Sequence, residues 1–299
     1  MIFMMKKERG CAGLLFNTQK PDAIVMAERL LAWGREKSVT FLLPPHEANA
    51  ISVPATPDNI WREKVDFAII LGGDGTFLRA ARYTFGYHIP LYGINLGRLG
   101  FLATGNPESA ENDIEAIIAH KYTIQSRGLL KGLVWRGGRV MHELHALNDL
   151  VISKGNIARV IDLEVRVGDE ILSLFLADGL ILSTPTGSTA YALSAGGPII
   201  PPHVDCVLLA PICAHTLYAR PVVLSGTDRA MVIPKGDTRS LMLTQDGQLG
   251  YELLPDDRLE VMLDPDMRVT TIQLDDRSYY DLLREKLRWG FNGITDGGE

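Results

Sequence analysis

The sequence predicts an α/β fold in two domains, because its two parts differ in pattern. In residues 1–121, short apolar runs alternate with segments of helical periodicity, which is typical of βαβ units around a mostly parallel sheet. In residues 122–275, short strands follow one another and are separated by Gly, Pro and Asp turns. We therefore expect a Rossmann-like N-terminal domain and a β-rich, β-sandwich-like C-terminal domain.

The N-terminal domain is predicted to contain buried strands and intervening helices. The predicted strands are the apolar runs 12–16, 39–43, 65–71 and 89–95. Pro21 suits a first helical turn, and the apolar residues after it recur at helical spacing. Further helices are expected over residues 76–84 and after Asn106, which would cap a helix that has Pro107 in its first position.

The C-terminal domain is predicted to consist mainly of short strands. Gly137 and Gly138 form a tight turn between two of them, and residues 161–167 alternate apolar and polar side chains, as a half-buried strand does. A helix within residues 276–299 is expected to pack back on the first domain. Further strands are expected at 229–234, 240–245, 258–264 and 269–275.

The composition excludes several classes of protein. With 46% hydrophobic and 22% charged residues, the chain resembles soluble globular proteins, and its net charge of −6 argues against a broad nucleic-acid surface. The three cysteines have no CxxC spacing, and the HELH segment lacks the HExxH spacing, so we assign neither a zinc site nor another protein metal site. There is no apolar run of membrane-spanning length and no signal-peptide pattern at the start, so we expect a cytoplasmic protein without a membrane partner.

A glycine-rich loop follows the third predicted strand, in the sequence LGGDGT. Glycines there let backbone N–H groups approach an anion closely, and the next helix presents its positive N-terminal end to the same place. Asp74 lies in this loop and would either act on a ligand or simply cap the helix. Arg79 would either face a phosphate group or be a solvated helix residue.

A second glycine-rich loop lies in ADGLILSTPTGSTAYALSAGGP, residues 177–198. A strand delivers Asp178, and hydroxyl side chains then surround Gly187 before a short helix near Thr189. These hydroxyls would bind phosphate or ribose, or would only cap the helix. The pair Asn148–Asp149 at the start of a strand would be a ligand site or ordinary turn chemistry.

These motifs together resemble the NAD kinase family. GGDGT, INLGRLGFLA, ND, DGLILSTPTGSTAYALSAGGP, HTLYARP and DGQ occur in the order and approximate spacing of that family, between about residues 65 and 250. GGDGT alone is also similar to phosphofructokinases and to diacylglycerol and sphingosine kinases, whereas TPTGSTAY after an ND pair is much more specific.

The resemblance implies transfer of the terminal phosphoryl group of ATP, or of polyphosphate, to the adenosine-ribose 2′-hydroxyl of NAD, which makes NADP. Asp74 matches the family's catalytic base, and Mg²⁺ or another divalent ion would accompany the donor. A homodimer or homotetramer is expected. The candidate binding positions, taken from the two loops and from the resemblance, are Gly73, Gly75, Thr76, Arg79, Phe101, Asn148, Asp149, Arg159, Leu176, Asp178, Thr186, Thr189, Ala190, Tyr191, Ser194, Asp246 and Gln248.

The chain departs from the family pattern at two of the candidate binding positions, and also after GFLA, where it reads TGNPES and an aspartate is usual. The pair that commonly reads Asn-Glu is Asn148–Asp149 here, which shortens the reach of the acid by one methylene and keeps its charge. NAD-selective members often carry a basic residue two positions before Asp178, whereas this chain has Leu176, which is compatible with use of NADH as well. The alternatives are a lipid or sugar kinase of the same superfamily, a dinucleotide sensor without catalysis, and a structural α/β protein.

Overall fold

A computed structural model describes residues 10–155, 160–236, 241–254, 256–274 and 278–289. The chain divides into two compact units: unit 1 comprises Met1–Gln125 and Thr270–Glu299, and unit 2 comprises Ser126–Val269. The candidate residue Arg159 lies outside the described residues, as do residues 276, 277 and 290–299 of the predicted C-terminal helix. Among the described residues, no helix has the length and apolar character needed to cross a membrane.

Unit 1 begins with alternating strands and helices. Its elements are β1 (Cys11–Phe16), α1 (Pro21–Lys37), β2 (Thr40–Leu42), α2 (Pro45–Ala50), α3 (Asp58–Lys64), β3 (Phe67–Leu71), α4 (Asp74–Tyr83), β4 (Leu91–Ile94) and α5 (Ala110–Ile118). The four strands are parallel in the order β2-β1-β3-β4. The prediction of an α/β domain around a parallel sheet is confirmed.

The order of these strands determines where a ligand can bind. Chain connections leave β1 and β3 in opposite directions, so the crevice beyond the carboxyl ends of these two strands is the topological switch point of the sheet. The core beside them is built from α1 and α5, with Ala27 and Leu30 of α1 and Ile114 of α5 fully buried against Leu14 and Ile69. Pro21 occupies the first turn of α1, as predicted.

Two details of unit 1 differ from the sequence prediction. The helix expected from Pro107 begins at Ala110, because the Asn106 carboxamide accepts the Glu108 N–H and forms a turn instead of a cap. The short helices α2 and α3 were not predicted, because each has at most seven residues and no sustained periodicity.

Unit 2 is built almost entirely from strands. Its strands, the first and last of which begin or end in unit 1, are β5 (Thr123–Arg136), β6 (Arg139–Ala146), β7 (Asp149–Lys154), β8 (Ile161–Val167), β9 (Glu170–Ala177), β10 (Gly179–Ser183), β11 (Cys206–Ile212), β12 (Val222–Ser225), β13 (Arg229–Lys235), β14 (Leu241–Gln245), β15 (Leu249–Leu253) and β16 (Arg258–Gln273). A 3₁₀-helix (Thr186–Thr189) and helix α6 (Tyr191–Ser194) follow β10, and helix α7 (Tyr279–Leu287) belongs to unit 1.

The strands of unit 2 form two antiparallel layers that share a core. One sheet has the order β12-β11-β10-β7-β14-β15, and β16, β13, β8 and β9 pair in sequence in the other layer. Leu150 and Leu182 from the first layer are buried with Leu163 and Val261 from the second. This arrangement confirms the β-sandwich-like prediction.

The six-stranded sheet of unit 2 is covered on both faces. Its second face packs against Ala192 of α6 and against Ile200, so all five residues of β10 are buried. This explains the continuous apolar run before the TPTGST loop.

The two strands predicted at 258–264 and 269–275 are one strand, β16, which continues past Pro265. Beside this proline, the Asp264 carboxylate accepts the N–H groups of Asp266 and Met267.

Candidate active site

Asp74 lies directly beyond the carboxyl end of β3, at the switch point of the unit 1 sheet. The chain leaves β3 through Gly72, whose φ of 153° and close contact with Thr76 exclude a side chain, since an added Cβ would lie 2.9 Å from the Thr76 Cβ. Helix α4 then begins at Asp74, with Gly73 as its N-cap residue. The sequence places a carboxylate in the first turn of a helix at the position where α/β sheets bind ligands.

The Asp74 carboxylate does not cap its own helix. Its Oδ2 accepts the Phe101 N–H at 2.8 Å, and its Oδ1 accepts the Leu102 and Ala103 N–H groups at 3.0 and 3.2 Å. The alternative that Asp74 serves as a helix cap is therefore wrong, because its oxygens point to the loop after β4. Gly100, just before Phe101, leaves no room for a side chain, because an added Cβ there would lie 2.6 Å from the Asp74 Cγ.

The other candidate residues of unit 1 have different environments. Gly73 has open space where a side chain would be, Gly75 is exposed and Thr76 is buried. The Arg79 guanidinium donates to the Glu47 carboxylate at 2.6 Å and to the Phe16 carbonyl at 2.8 Å. Gly73, Gly75 and Thr76 thus lie beside Asp74 at the start of α4, whereas Arg79 is paired with the buried Glu47.

Phe101 links the loop that holds Asp74 to helix α7. Its backbone N–H donates to Asp74, and the Lys286 Nζ lies 5.7 Å from the centre of its ring. The aromatic ring is half-buried. Both contacts lie within unit 1.

In unit 2, the Asn148–Asp149 pair lies at the start of β7 beside the β14–β15 turn. Asp246 in that turn accepts the backbone N–H groups of Asn148 and Asp149. The TPTGST loop packs on the same backbone: an added Cβ at Gly187 would lie 2.6 Å from the Asn148 carbonyl carbon. Three motifs that are far apart in sequence therefore meet at one place.

The TPTGST loop is held by its own hydroxyl groups. The Ser188 hydroxyl donates to the Pro185 carbonyl at 2.6 Å and accepts the Ile200 N–H at 2.9 Å. Thr186 is buried beside Arg127, whose Nη1 lies 3.4 Å from its hydroxyl, and the Thr189 hydroxyl donates to the Thr186 carbonyl. The remaining candidates of this loop are more accessible, namely Ala190, Tyr191 and Ser194.

Leu176 and Asp178 lie at the other end of β7 from the Asn148–Asp149 pair. The Asp178 carboxylate accepts a hydrogen bond from the Lys154 Nζ at 2.6 Å, and Lys154 ends β7. Lys154 lies five positions after Asp149 in β7, or about 17 Å away at 3.3 Å per residue. Asp178 and Asp149 therefore cannot contact the same group of one ligand. The Leu176 side chain is 38% exposed. Gln248 closes the β14–β15 turn by donating its N–H to the Gln245 carbonyl.

Asp149 is a carboxyl group whose pKa the fold clearly raises. Burial, and then the charge of Asp246, raise the pKa of Asp149 to about 7. Its side chain is deeply buried, since the residue is only 5% exposed. The group therefore changes charge in the physiological pH range.

We expect Asp149→Asn to stabilise the protein progressively as the pH rises. The folded-state pKa of Asp149 lies above the ordinary value of 3.8, so the folded state binds this proton more tightly than the unfolded state. Ionisation of Asp149 therefore lowers the free energy of unfolding of the wild type. This loss is absent well below pH 4 and complete above pH 7. Between pH 5 and 9, the difference in unfolding free energy between variant and wild type should grow by about 3 kcal/mol. Urea unfolding at pH 5, 7 and 9 measures it. Stability curves that run parallel would contradict the shifted ionisation.

No group of three or more His, Cys, Asp or Glu side chains suited to a metal ion occurs in the described ranges. Sequence reasoning assigned no role to Thr184 or Arg127, and it identified Gly100 only as a glycine packed against a strand end. Only the steric requirement at Gly100 has a sequence signal, the repeated glycines of NLGRLGFL. The other contacts join residues 37 and 59 positions apart, which no local pattern reveals.

Comparisons with known proteins agree with both halves of this description. Residues 12–122 match the family model described as the ATP-NAD kinase N-terminal domain, and residues 147–271 match that of the ATP-NAD kinase C-terminal domain. The NAD kinase of Geotalea daltonii is 39% identical over 272 residues, which cover 90% of this chain and 95% of that protein. The NAD kinase of Symbiobacterium thermophilum is 40% identical over 277 residues, which cover 92% and 97%.

Two solved structures share the fold. A yeast NADH kinase complexed with NADH has a TM-score of 0.87 at 23% identity, covering 98% of this chain and 91% of the other. An NAD kinase from Archaeoglobus fulgidus in complex with ATP has a TM-score of 0.73 at 24% identity, covering 93% and 98%. The two matched domains and the two relatives of about 40% identity lead to one conclusion: this chain belongs to the NAD kinase family of phosphotransferases.

Proposed function

We propose that the enzyme transfers the terminal phosphoryl group of ATP to the adenosine-ribose 2′-hydroxyl of NAD, with Asp74 as the general base. The observation that carries this proposal is the fixed Asp74 carboxylate at the switch point of the unit 1 sheet. Three backbone N–H groups occupy three of the roughly four acceptor positions of a carboxylate, two on Oδ1 and one on Oδ2. One position on Oδ2 is left to accept the proton of the attacking hydroxyl.

The chemistry matches what this residue offers. A ribose hydroxyl is a poor nucleophile at neutral pH, so a carboxylate within hydrogen-bond reach raises its reactivity by taking the proton as the bond to phosphorus forms. A base fixed by backbone groups needs no reorientation in the transition state, which is an advantage in positioning. Phosphoryl transfer depends mainly on positioning and charge neutralisation, so little further covalent chemistry is required.

The N-terminus of α4 is proposed to hold the phosphate groups of the donor. The N–H groups around Gly73 and Gly75 lie at the positive end of a ten-residue helix, and Gly73 leaves the approach open. A divalent ion, Mg²⁺ in our proposal, would neutralise the charge of the donor phosphates. Because Mg²⁺ is commonly bound through substrate phosphates and few carboxylates, we propose that it enters with the nucleotide.

Unit 2 is proposed to bind NAD. The Asn148 and Asp149 side chains would hold hydroxyl or amide groups of the dinucleotide, while the exposed Tyr191 offers an aromatic face for a base. Asp178 would contact a different part of the ligand, at the other end of β7. Arg159 and Gln248 stay as proposed contacts from the family resemblance.

We expect NADH to be phosphorylated with a kcat/KM within about tenfold of that for NAD. NAD and NADH differ by one positive charge on the nicotinamide ring, and a charged side chain is the most effective way to distinguish them. The apolar Leu176 stands where the family resemblance places the selectivity residue, and it supplies no charge. Steady-state rates with the two dinucleotides at one ATP concentration measure the ratio. An enzyme inert toward NADH would contradict this assignment of Leu176.

The proposed assembly and location follow from the family resemblance. We propose a homodimer or homotetramer in the cytoplasm, without nucleic-acid or membrane partners. Strand β9 exposes Ile171, Leu172 and Leu174, apolar side chains that a contact between subunits would cover. Light scattering during gel filtration measures the assembly directly, and a monomeric mass would contradict it.

The experiment that tests the proposed function is a coupled assay. Purified protein is incubated with NAD, Mg²⁺ and either ATP or inorganic polyphosphate, and NADP is detected by an NADP-dependent dehydrogenase. We expect NADP with ATP, and the polyphosphate arm decides the donor range. NAD binding without NADP from either donor would overturn the proposal and support a dinucleotide sensor. Phosphorylation of sphingosine or diacylglycerol instead would support a related lipid kinase.

A further inference from the structure

The β14–β15 turn places a buried carboxylate against the backbone of the Asn148–Asp149 pair. Asp246 and Gly247 both have positive φ, 51° and 62°, as in a type I′ turn, so Asp246 adopts a conformation that non-glycine residues rarely use. Its Oδ1 accepts the Asn148 N–H at 2.7 Å and the Asp149 N–H at 3.2 Å. Its Oδ2 accepts the Leu147 N–H at 3.2 Å.

The carbonyl groups of the same three residues are held by Thr184 and by the backbone of Asp246. The Thr184 hydroxyl donates to the Leu147 carbonyl at 2.6 Å, and the Thr184 N–H donates to the Asn148 carbonyl at 2.9 Å. The Asp246 N–H donates to the Asp149 carbonyl at 2.9 Å. Asp246 and Thr184 thus pair with every backbone N–H and C=O group of residues 147–149. Because they hold this backbone, they also determine the directions in which the Asn148 and Asp149 side chains leave it.

We propose that Asp246 is a positioning residue for NAD: it acts through the backbone of residues 147–149 and does not contact the dinucleotide. This inference rests on the proposed function, in which Asn148 and Asp149 bind NAD. Asp74 accepts as many backbone hydrogen bonds but is more exposed, and the carboxylate of Asp149, which is as buried, accepts none among the hydrogen bonds of the described residues. Asp246 combines both features: it is only 7% exposed, and both of its oxygens already accept backbone hydrogen bonds. A carboxylate in that state has little surface for a ligand, in contrast to the contact that the family resemblance suggested.

An acid is needed at this turn because three backbone N–H groups converge on one side chain. A single carboxylate accepts three N–H groups from consecutive residues, and charge-assisted bonds of this kind are stronger than neutral ones. An asparagine keeps at most one oxygen in this position, so its NH₂ group would face the Leu147 N–H. Removal of the side chain would leave three backbone donors, two of them buried, without this acceptor.

The test is a double-mutant cycle on kcat/KM for NAD. Asp246→Asn is made in the wild type and in an Asn148→Ala/Asp149→Ala background. We expect it to lower kcat/KM at least fivefold in the wild type through KM for NAD, with kcat and KM for ATP changed less than twofold. In the second background we expect less than a twofold further effect. An equal loss in both backgrounds would indicate a direct contact with NAD and overturn the proposal, as would an unchanged KM in the wild type.

Hydrogen–deuterium exchange provides a readout that does not depend on activity. Asp246→Asn should accelerate exchange of the amides of residues 147–149 at least tenfold, and Asp246→Ala should do so more strongly. Asp228→Asn is the matched control, because the Asp228 carboxylate also accepts a backbone N–H in a turn of unit 2, that of Ser225. Unchanged exchange in Asp246→Asn would overturn the backbone role. A wild type that makes no NADP would instead overturn the proposed function, and the exchange result would then decide the backbone role alone.

Discussion

Replacing Asp74 by asparagine is expected to lower kcat for NADP formation by about 10³–10⁴-fold, the upper part of the range that general bases contribute. The asparagine oxygen can keep the Leu102 and Ala103 hydrogen bonds, while its NH₂ group would face the Phe101 N–H, so the loop after β4 should shift only locally, at Phe101. The variant loses the only charge and the only basic lone pair at this position. Steady-state kinetics with calorimetry of NAD binding separate the loss of chemistry from a loss of binding, and the affinity should change less than threefold.

Asp66→Asn is the matched control for this variant. The Asp66 carboxylate also accepts a backbone N–H group, that of Cys11 at 2.8 Å, and it precedes β3 at the end opposite to Asp74. Its replacement removes the same charge from unit 1 and should leave kcat within about twofold. If Asp74→Asn retained more than a tenth of the wild-type kcat, Asp74 would not be the base.

The second large effect is expected for Gly100→Ala, which should lower kcat at least 100-fold. The added Cβ would lie 2.6 Å from the Asp74 Cγ, well inside contact distance. Relief requires that the loop and the carboxylate separate, which breaks the three hydrogen bonds that fix Asp74. Displacement of a catalytic group by about 1 Å commonly costs on the order of 100-fold in rate.

Gly97→Ala tests whether the effect is specific to that contact. Gly97 lies in the same loop, and an added Cβ there would have only the Asn95 Oδ1 nearby, at 3.9 Å. The variant should therefore keep kcat within about twofold and melt within a few degrees of the wild type. A Gly100→Ala enzyme as active as Gly97→Ala would show that the contact between the loop and Asp74 does not matter for turnover.

Sequence reasoning succeeded where the structure is determined by local patterns. Pro21 and the helical spacing after it predicted α1, and the alternation of residues 161–167 predicted β8, because each pattern spans one element. The turn at Gly137 and Gly138 was predicted for the same reason, and both glycines have positive φ. Such signals depend on neighbours within a few residues.

Sequence reasoning could not predict which partners the candidate residues have. Asp74 bonds to amides 27 to 29 residues away, and Asp246 bonds to amides 97 to 99 residues away. Nothing in GGDGT or DGQ distinguishes a ligand contact from a backbone contact. The start of α5 at Ala110 was not predicted, because an asparagine such as Asn106 is favoured both as a helix cap and in a turn.

The most direct test of the central claim is to identify the phosphorylated product by ³¹P NMR after incubation of NAD, ATP and Mg²⁺ with the wild type. We predict a new phosphomonoester on the adenosine 2′-oxygen, formed in a one-to-one ratio with ADP, while the NAD pyrophosphate is unchanged. The Asp74→Asn enzyme should produce it at least 1000-fold more slowly. Release of ADP with inorganic phosphate alone, or a phosphate on another hydroxyl, would contradict the claim that this site activates the 2′-hydroxyl of NAD.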